Sequence, residues 1–236
     1  MVLDIEAYAE EVRAELINKI AFYIPVPGTG GIPVAYSVVG TWILMAVLVV
    51  ASIILTRNLS VVPTTKRQLF LEVCLGWLDK FFMGILGEKG KKYVPYLSTV
   101  IIYIGFANMS GIFGIKSPTR DLGVTAALSL MSIFMVEYST FRARGVKGFF
   151  KSFIEPTPVM APINIMELAI RPASLCMRLF GNVLGAYVVM TLLEVALKGV
   201  LPLTLPLSFY FDVFDGCIQA YVFSFLTALF MSEGLE

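Results

Sequence analysis

Hydrophobic positions along this chain fall in long unbroken runs, and most of the charged residues are gathered between them. Ala35 to Thr56 and Tyr93 to Ile115 carry no charge at all, and Leu122 to Phe141 carries only Glu137 near its end. Crossing a hydrocarbon core of roughly 30 Å takes about 20 apolar residues in a helix. Residues 35–56, 93–115 and 122–141 are therefore predicted spans. Two later runs, 163–198 and 201–232, are longer, studded with polar groups and joined around Pro202 and Pro206. Overlength of that kind predicts steep tilt, and the two are expected to form a helical hairpin. Residues 66–86 are apolar on most sides but include Glu72, Asp79 and Lys80, which predicts a helix lying on the membrane surface. Residues 1–22 place Ile5, Tyr8, Val12, Leu16 and Ile20 near a 3.6-residue period among acids, predicting an amphipathic interfacial helix. The expectation is a single all-α integral membrane domain with about five spans and these interfacial helices.

Composition strengthens that reading. Hydrophobic residues make up 58% of the chain and charged ones 15%, far from the usage of a soluble domain, so the outer surface should face lipid. The net charge of +1 gives no clustered basic face for nucleic acid. Charge placement is more informative than its sum. Lys and Arg gather in residues 57–92 and 142–155, which are expected on the cytoplasmic side, with the acidic amino terminus and the 116–121 turn outside. The carboxyl terminus is then expected inside.

Histidine is absent, which removes the commonest general base and metal ligand. Cys74, Cys176 and Cys217 stand apart in apolar runs and read as small buried hydrophobes. No HExxH, GxSxG or GxxxxGK pattern is present, and no catalytic residue, cofactor or metal site is expected.

The unusual residue is Arg178, in Cys176-Met177-Arg178-Leu179-Phe180-Gly181-Asn182, inside a run expected at membrane depth with no acid nearby in sequence. A centred arginine costs roughly 2.5 to 3.5 kcal/mol to insert, and guanidinium does not escape the cost by losing its proton. Helical spacing sets Arg178, Asn182 and Gly185 on one stripe, and Gly181 with Gly185 forms a GxxxG pair suited to close helix contact. On the second long run Asp212, Asp215 and Gln219 share a face at steps of three and four, and Glu194 lies toward the same end of the hairpin as Asp212. Carboxylates near membrane depth imply water or a buried partner. Interfacial placement near the loop and an aqueous entry funnel are both open for Glu194 and Asp212. Thr125 and Ser129 on the third span are expected to serve helix packing.

From Arg171-Pro172 to Asn182, with Arg-Leu-Phe-Gly-Asn at its centre, the sequence resembles subunit a of the F-type ATP synthases. Pro118-Thr119-Arg120-Asp121, Asn108 and Gln219-Ala220-Tyr221-Val222-Phe223 extend the resemblance over roughly residues 35 to 232. It implies a stator subunit with two half-channels for H+ or Na+. Arg178 would be its essential arginine, Asn182 one turn away, Gln219 opposite on the last helix, and Asp212, Asp215 and Glu194 accessory acids. Tyr187 stands where many family members have an acid or histidine. Implied partners are a ring of membrane hairpin subunits (the c-ring), the peripheral-stalk b subunits, a soluble ATPase head and the bilayer of a bacterial inner membrane. A stand-alone secondary ion transporter is the alternative, against which stands the lack of an inverted repeat.

Overall fold

Extended backbone opens the described part of the chain: β1 (Ile20–Ile24) pairs antiparallel with β2 (Ile32–Ala35). The computed structural model describes residues 20–24, 32–60, 65–113, 117–152, 161–196 and 206–235. The helix expected over 1–22 is corrected where it can be seen, since Ile20, Ala21 and Phe22 belong to a strand; β-branched and aromatic residues in Ile20–Ile24 suit a pleated ribbon. Residues 1–19 lie outside the described residues.

Six helices follow. They are α1 (Tyr36–Thr56), α2 (Lys66–Leu86), α3 (Val94–Met109), α4 (Leu122–Ser152), α5 (Ala161–Ala196) and α6 (Gly216–Leu235). The chain enters α6 through a π-helical stretch, Tyr210–Asp215. Among the described residues four helices are long and apolar enough to cross a membrane, at Tyr36–Thr56, Leu122–Val146, Pro162–Leu193 and Pro206–Leu235. The chain is thus an all-α membrane protein apart from the small hairpin. The fifth expected span is shorter than its apolar run. α3 has 16 residues, flanked by the 3-10 turns Glu88–Tyr93 and Ser110–Phe113.

Burial follows the logic of a bilayer rather than of water. α1 has no buried residue and exposes Trp42, Ile43, Val47, Val50 and Ile54, whereas the helices around α3 enclose Ser98, Ser132, Ser139, Ser224 and Thr227. Lipid tails are as apolar as leucine, so the outer face needs no polar cover and cohesion comes from close packing and interior hydrogen bonds. Cys74 and Cys217 are exposed, contrary to expectation, and only Cys176 is buried. In lipid, an exposed position is as congenial to a thiol as the core.

One core cluster joins α3, α4, α5 and α6 through Val100, Ile104, Ile133, Leu175, Leu179, Ala220 and Phe223. A second ties α2 to α3 and α6 through Leu78, Phe82, Leu97, Ala228 and Met231. Helices come close where side chains are small: a Cβ added to Gly216 would lie 2.9 Å from the Cβ of Asn108. Gly216→Val is expected to lower stability by about 1–3 kcal/mol through overpacking, read as a reduced thermal midpoint of the solubilised complex. Thr125 and Ser129 bond within their own helix, to the Leu122 and Ala126 carbonyls at 3.1 and 2.9 Å, and Thr125 also touches Cys176 on α5. Both serve packing.

The last turn of α6 is fixed by cations. Arg144 donates to the carbonyls of Gly234 (3.2 Å) and Glu233 (3.1 Å), and Lys89 Nζ to that of Leu235 (3.3 Å). These carbonyls have no partner within the helix, and positive charge suits the negative end of its dipole. α4 bends out at Gly145, whose φ of 70° is a conformation that side-chain-bearing residues rarely adopt.

Candidate functional site

Arg178 lies at the midpoint of α5, whose ends are Ala161 and Ala196. The neighbouring Leu175 and Leu179 are buried in the core, and a step of one residue, about 100° around the helix, turns Arg178 onto the exposed flank. Among the described residues it has no ion pair and no hydrogen bond. Arg171, two turns earlier, contrasts with it: Nη2 meets Glu167 at 3.0 Å and Glu233 at 3.3 Å, and the guanidinium stacks 4.8 Å from the Phe230 ring. The stripe beside Arg178 is bare and narrow in relief. Met177, Val189 and Leu192 are exposed, and a Cβ on either Gly181 or Gly185 would meet nothing within 4 Å.

One turn from Arg178, Asn182 Nδ2 donates to Gln219 Oε1 at 2.6 Å, joining α5 to α6. Gln219 is 2% exposed and its own Nε2 has no partner, a donor held in the interior beside the bare stripe. An unsatisfied buried amide costs about 1–3 kcal/mol, so this position is kept against a stability cost.

Two cavities flank this level on opposite sides. The first, about 210 Å³, is lined by Asn108, Arg120, Tyr187, Asp212, Asp215 and Gly216 among others. The π-helical winding of Tyr210–Asp215 puts both aspartates on its wall, and such windings recur at functional sites. Asp212 accepts from Ser208 Oγ at 3.2 Å. Asn108 braces the wall, giving Nδ2 to the Gly216 carbonyl (3.2 Å) and taking Thr119 Oγ1 on Oδ1 (2.8 Å). The 116–121 turn is not a solvated one where it is described, because Pro118, Thr119 and Asp121 are buried and Ser37 donates to the Asp121 carboxylate. Gln219, expected on one face with the aspartates, is not part of this lining and turns to Asn182 instead. Glu194 lies near the end of α5, and its side chain is outside the described residues.

The second cavity, about 270 Å³, is lined by Glu137, Thr140, Arg144, Glu167, Arg171 and Glu233 among others. On α5 its lining ends at Arg171 and that of the first cavity begins at Val183; on the last span they end at Gly216 and begin at Phe230. Arg178, Asn182 and Gln219 occupy the interval on both helices. Arg120, quoted above only as part of Pro118-Thr119-Arg120-Asp121, sets its guanidinium 4.4 Å over the Tyr187 ring, and neither that contact nor the second cavity follows from any spacing in the sequence. The only sequence signal for the cavity was a lone acid, Glu137, in an otherwise apolar span.

Fold and site together define a polytopic helical membrane protein with a mid-helix cation that has no ion pair among the described residues, flanked by two polar cavities with separate linings. Residues 38–232 match the ATP synthase A chain family, and the chain belongs to it. It is 34% identical to "ATP synthase subunit a, sodium ion specific" of Propionigenium modestum, over 92% of this chain and 84% of the relative. It is 36% identical to ATP synthase subunit a of Moorella thermoacetica, over 86% and 92% respectively. A relative from Solidesulfovibrio magneticus, also an ATP synthase subunit a, is 36% identical over 85% of this chain and 84% of its own.

Proposed function

We propose that this chain is the stationary ion-conducting subunit of a rotary ATP synthase, with Arg178 as the fixed charge at the boundary between two half-channels. Family membership makes it a membrane subunit working in ion transport and ATP synthesis, with the ATP chemistry itself carried by the soluble head. The observation that carries the finer reading is the pair of cavities that stop on either side of the Arg178 level. A continuous pore would let ions cross without work; two blind access paths force them to change carrier at mid-depth. The carrier is a ring of hairpin subunits, each with one membrane-embedded carboxylate, turning against the bare stripe of α5. A guanidinium that keeps its proton holds an arriving carboxylate ionised and bars a free cation from slipping past. Each charge crossing 100 mV releases about 2.3 kcal/mol, which rotation sums for ATP synthesis.

Arg142, Arg144, Lys147 and Lys151, in the carboxyl-terminal part of α4, support an orientation with the Glu233 cavity on the cytoplasmic side of a bacterial inner membrane and the Asp212 cavity outside, the amino terminus outside and the carboxyl terminus within. Asp212 and Asp215 then draw cations into the outer path, with Asn182 and Gln219 lining the handover beside Arg178. Glu194 belongs to the same outer mouth. Peripheral-stalk b subunits hold the chain still relative to the head. The test is a reconstituted complex carrying Asp212→Asn with Asp215→Asn: ATP-driven pumping should fall by roughly fivefold or more as outer access slows, while the block on passive ion flow persists. Wild-type pumping in this double variant would remove the Asp212 cavity from the path.

A further inference from the structure

Resting on that reading, the unexplained group is Glu137. It interrupts an apolar span, is half-buried on α4, and faces the inner cavity together with Arg171. An ion moving between the Arg178 level and the cytoplasm must pass a second guanidinium, Arg171, about 10 Å farther along α5 at 1.5 Å per residue. Left alone, that charge would repel a cation as Arg178 does.

The packing removes this obstacle. Arg171 is engaged by Glu167 on its own helix and by Glu233 from α6, and Phe230 covers its face. Arg144, the other cation on the wall, is held at the end of α6 by bonds from Nε and Nη2 to the Gly234 and Glu233 carbonyls. Glu137 alone among the three carboxylates of the lining has neither an ion pair nor a hydrogen bond among the described residues. The three do not converge as a metal-binding set among those residues, so the cavity is not a tight cation cage.

We propose that Glu137 is the inner-side ion-handling residue: the carboxylate that exchanges the coupling cation between the cytoplasmic water and the Arg178 level. For a proton the step is transfer from a hydrated proton to a carboxylate oxygen, and its release to water on the far side. For a metal cation the same oxygen replaces one water of hydration for the passage. Arg171 is a positioning residue here, since its two ion pairs keep Glu167 and Glu233 occupied and leave Glu137 as the exchangeable group.

The measurement is ATP-driven pumping by the full reconstituted complex as a function of ion activity on the cytoplasmic side. Glu137→Gln should raise the activity needed for half-maximal rate by roughly fivefold, leave the maximal rate within about twofold, and not alter the dependence on the outer side. Glu137→Asp should recover most of the shift. An unchanged inner-side dependence in Glu137→Gln overturns the proposal, and so does an equal fall in maximal rate for Gln and Asp without any shift, which marks a structural role. Arg178→Ala run in parallel separates the two levels of inference: normal pumping there removes the translocation reading itself, whereas a dead Arg178 variant beside a wild-type Glu137→Gln removes only the role of Glu137.

Discussion

Arg178→Ala is expected to abolish ATP-driven ion pumping and ion-driven ATP synthesis in the assembled complex, with a fall of more than about 100-fold, and to admit passive ion leak. Two physical facts set this size. The guanidinium has no internal counter-charge among the described residues, so its removal leaves no buried acid behind and costs the fold little. Insertion becomes easier by roughly 2.5 to 3.5 kcal/mol. The loss therefore falls on function: nothing separates the two cavities electrostatically, and an arriving carboxylate keeps its ion. Arg178→Lys should fail nearly as fully, because an ammonium is shorter, more strongly hydrated and able to lose its proton when desolvated. Proton-flux assays on vesicles, with and without ATP, distinguish a leak from a dead complex. Normal ATP synthesis in either variant would sink the assignment.

Gly181→Leu should separate folding from function in the opposite sense. The space beyond Gly181 is open, with no described atom outside its own stretch of helix within 4 Å of an added Cβ. Leucine is also the better helix former, by roughly 0.5–1 kcal/mol. The isolated subunit should insert and fold at least as well as the parent. Yet a leucine on the bare stripe pushes any facing helix away from Arg178, and small residues are what let transmembrane backbones approach closely. Pumping in the assembled complex should drop at least about tenfold, or the rotor ring should fail to co-purify, while circular dichroism of the subunit keeps its helical signal. Full activity would show that this face of α5 meets lipid rather than a partner.

The inner path illustrates how much a pairing pattern decides. Glu137, Glu167 and Glu233 are three acids of one kind, spread over three helices, and what sets Glu137 apart is that Arg171 makes direct ion pairs with the other two. No spacing rule could have assigned those partners, since Glu233 lies 62 residues from Arg171. The same holds for Arg120, which the sequence places in the 116–121 turn and the fold stacks over Tyr187 on another helix.

By itself the sequence determined the class of protein. The hydrophobic runs, the missing histidines and a lone arginine in an apolar stretch required membrane helices and an unusual charge at depth, because hydropathy and the cost of burying charge act residue by residue along the chain. The stripe of Arg178, Asn182 and Gly185 was legible for the same reason: it follows from the period of a single helix. Only the tertiary structure decided that Gln219 turns from the aspartates to Asn182, that the amino-terminal segment is a strand from Ile20, and that two cavities end on either side of Arg178. Those features depend on how separate helices are rotated and set against one another, and in lipid that choice is made by close packing and interior hydrogen bonds, which leave little trace in the hydrophobic pattern.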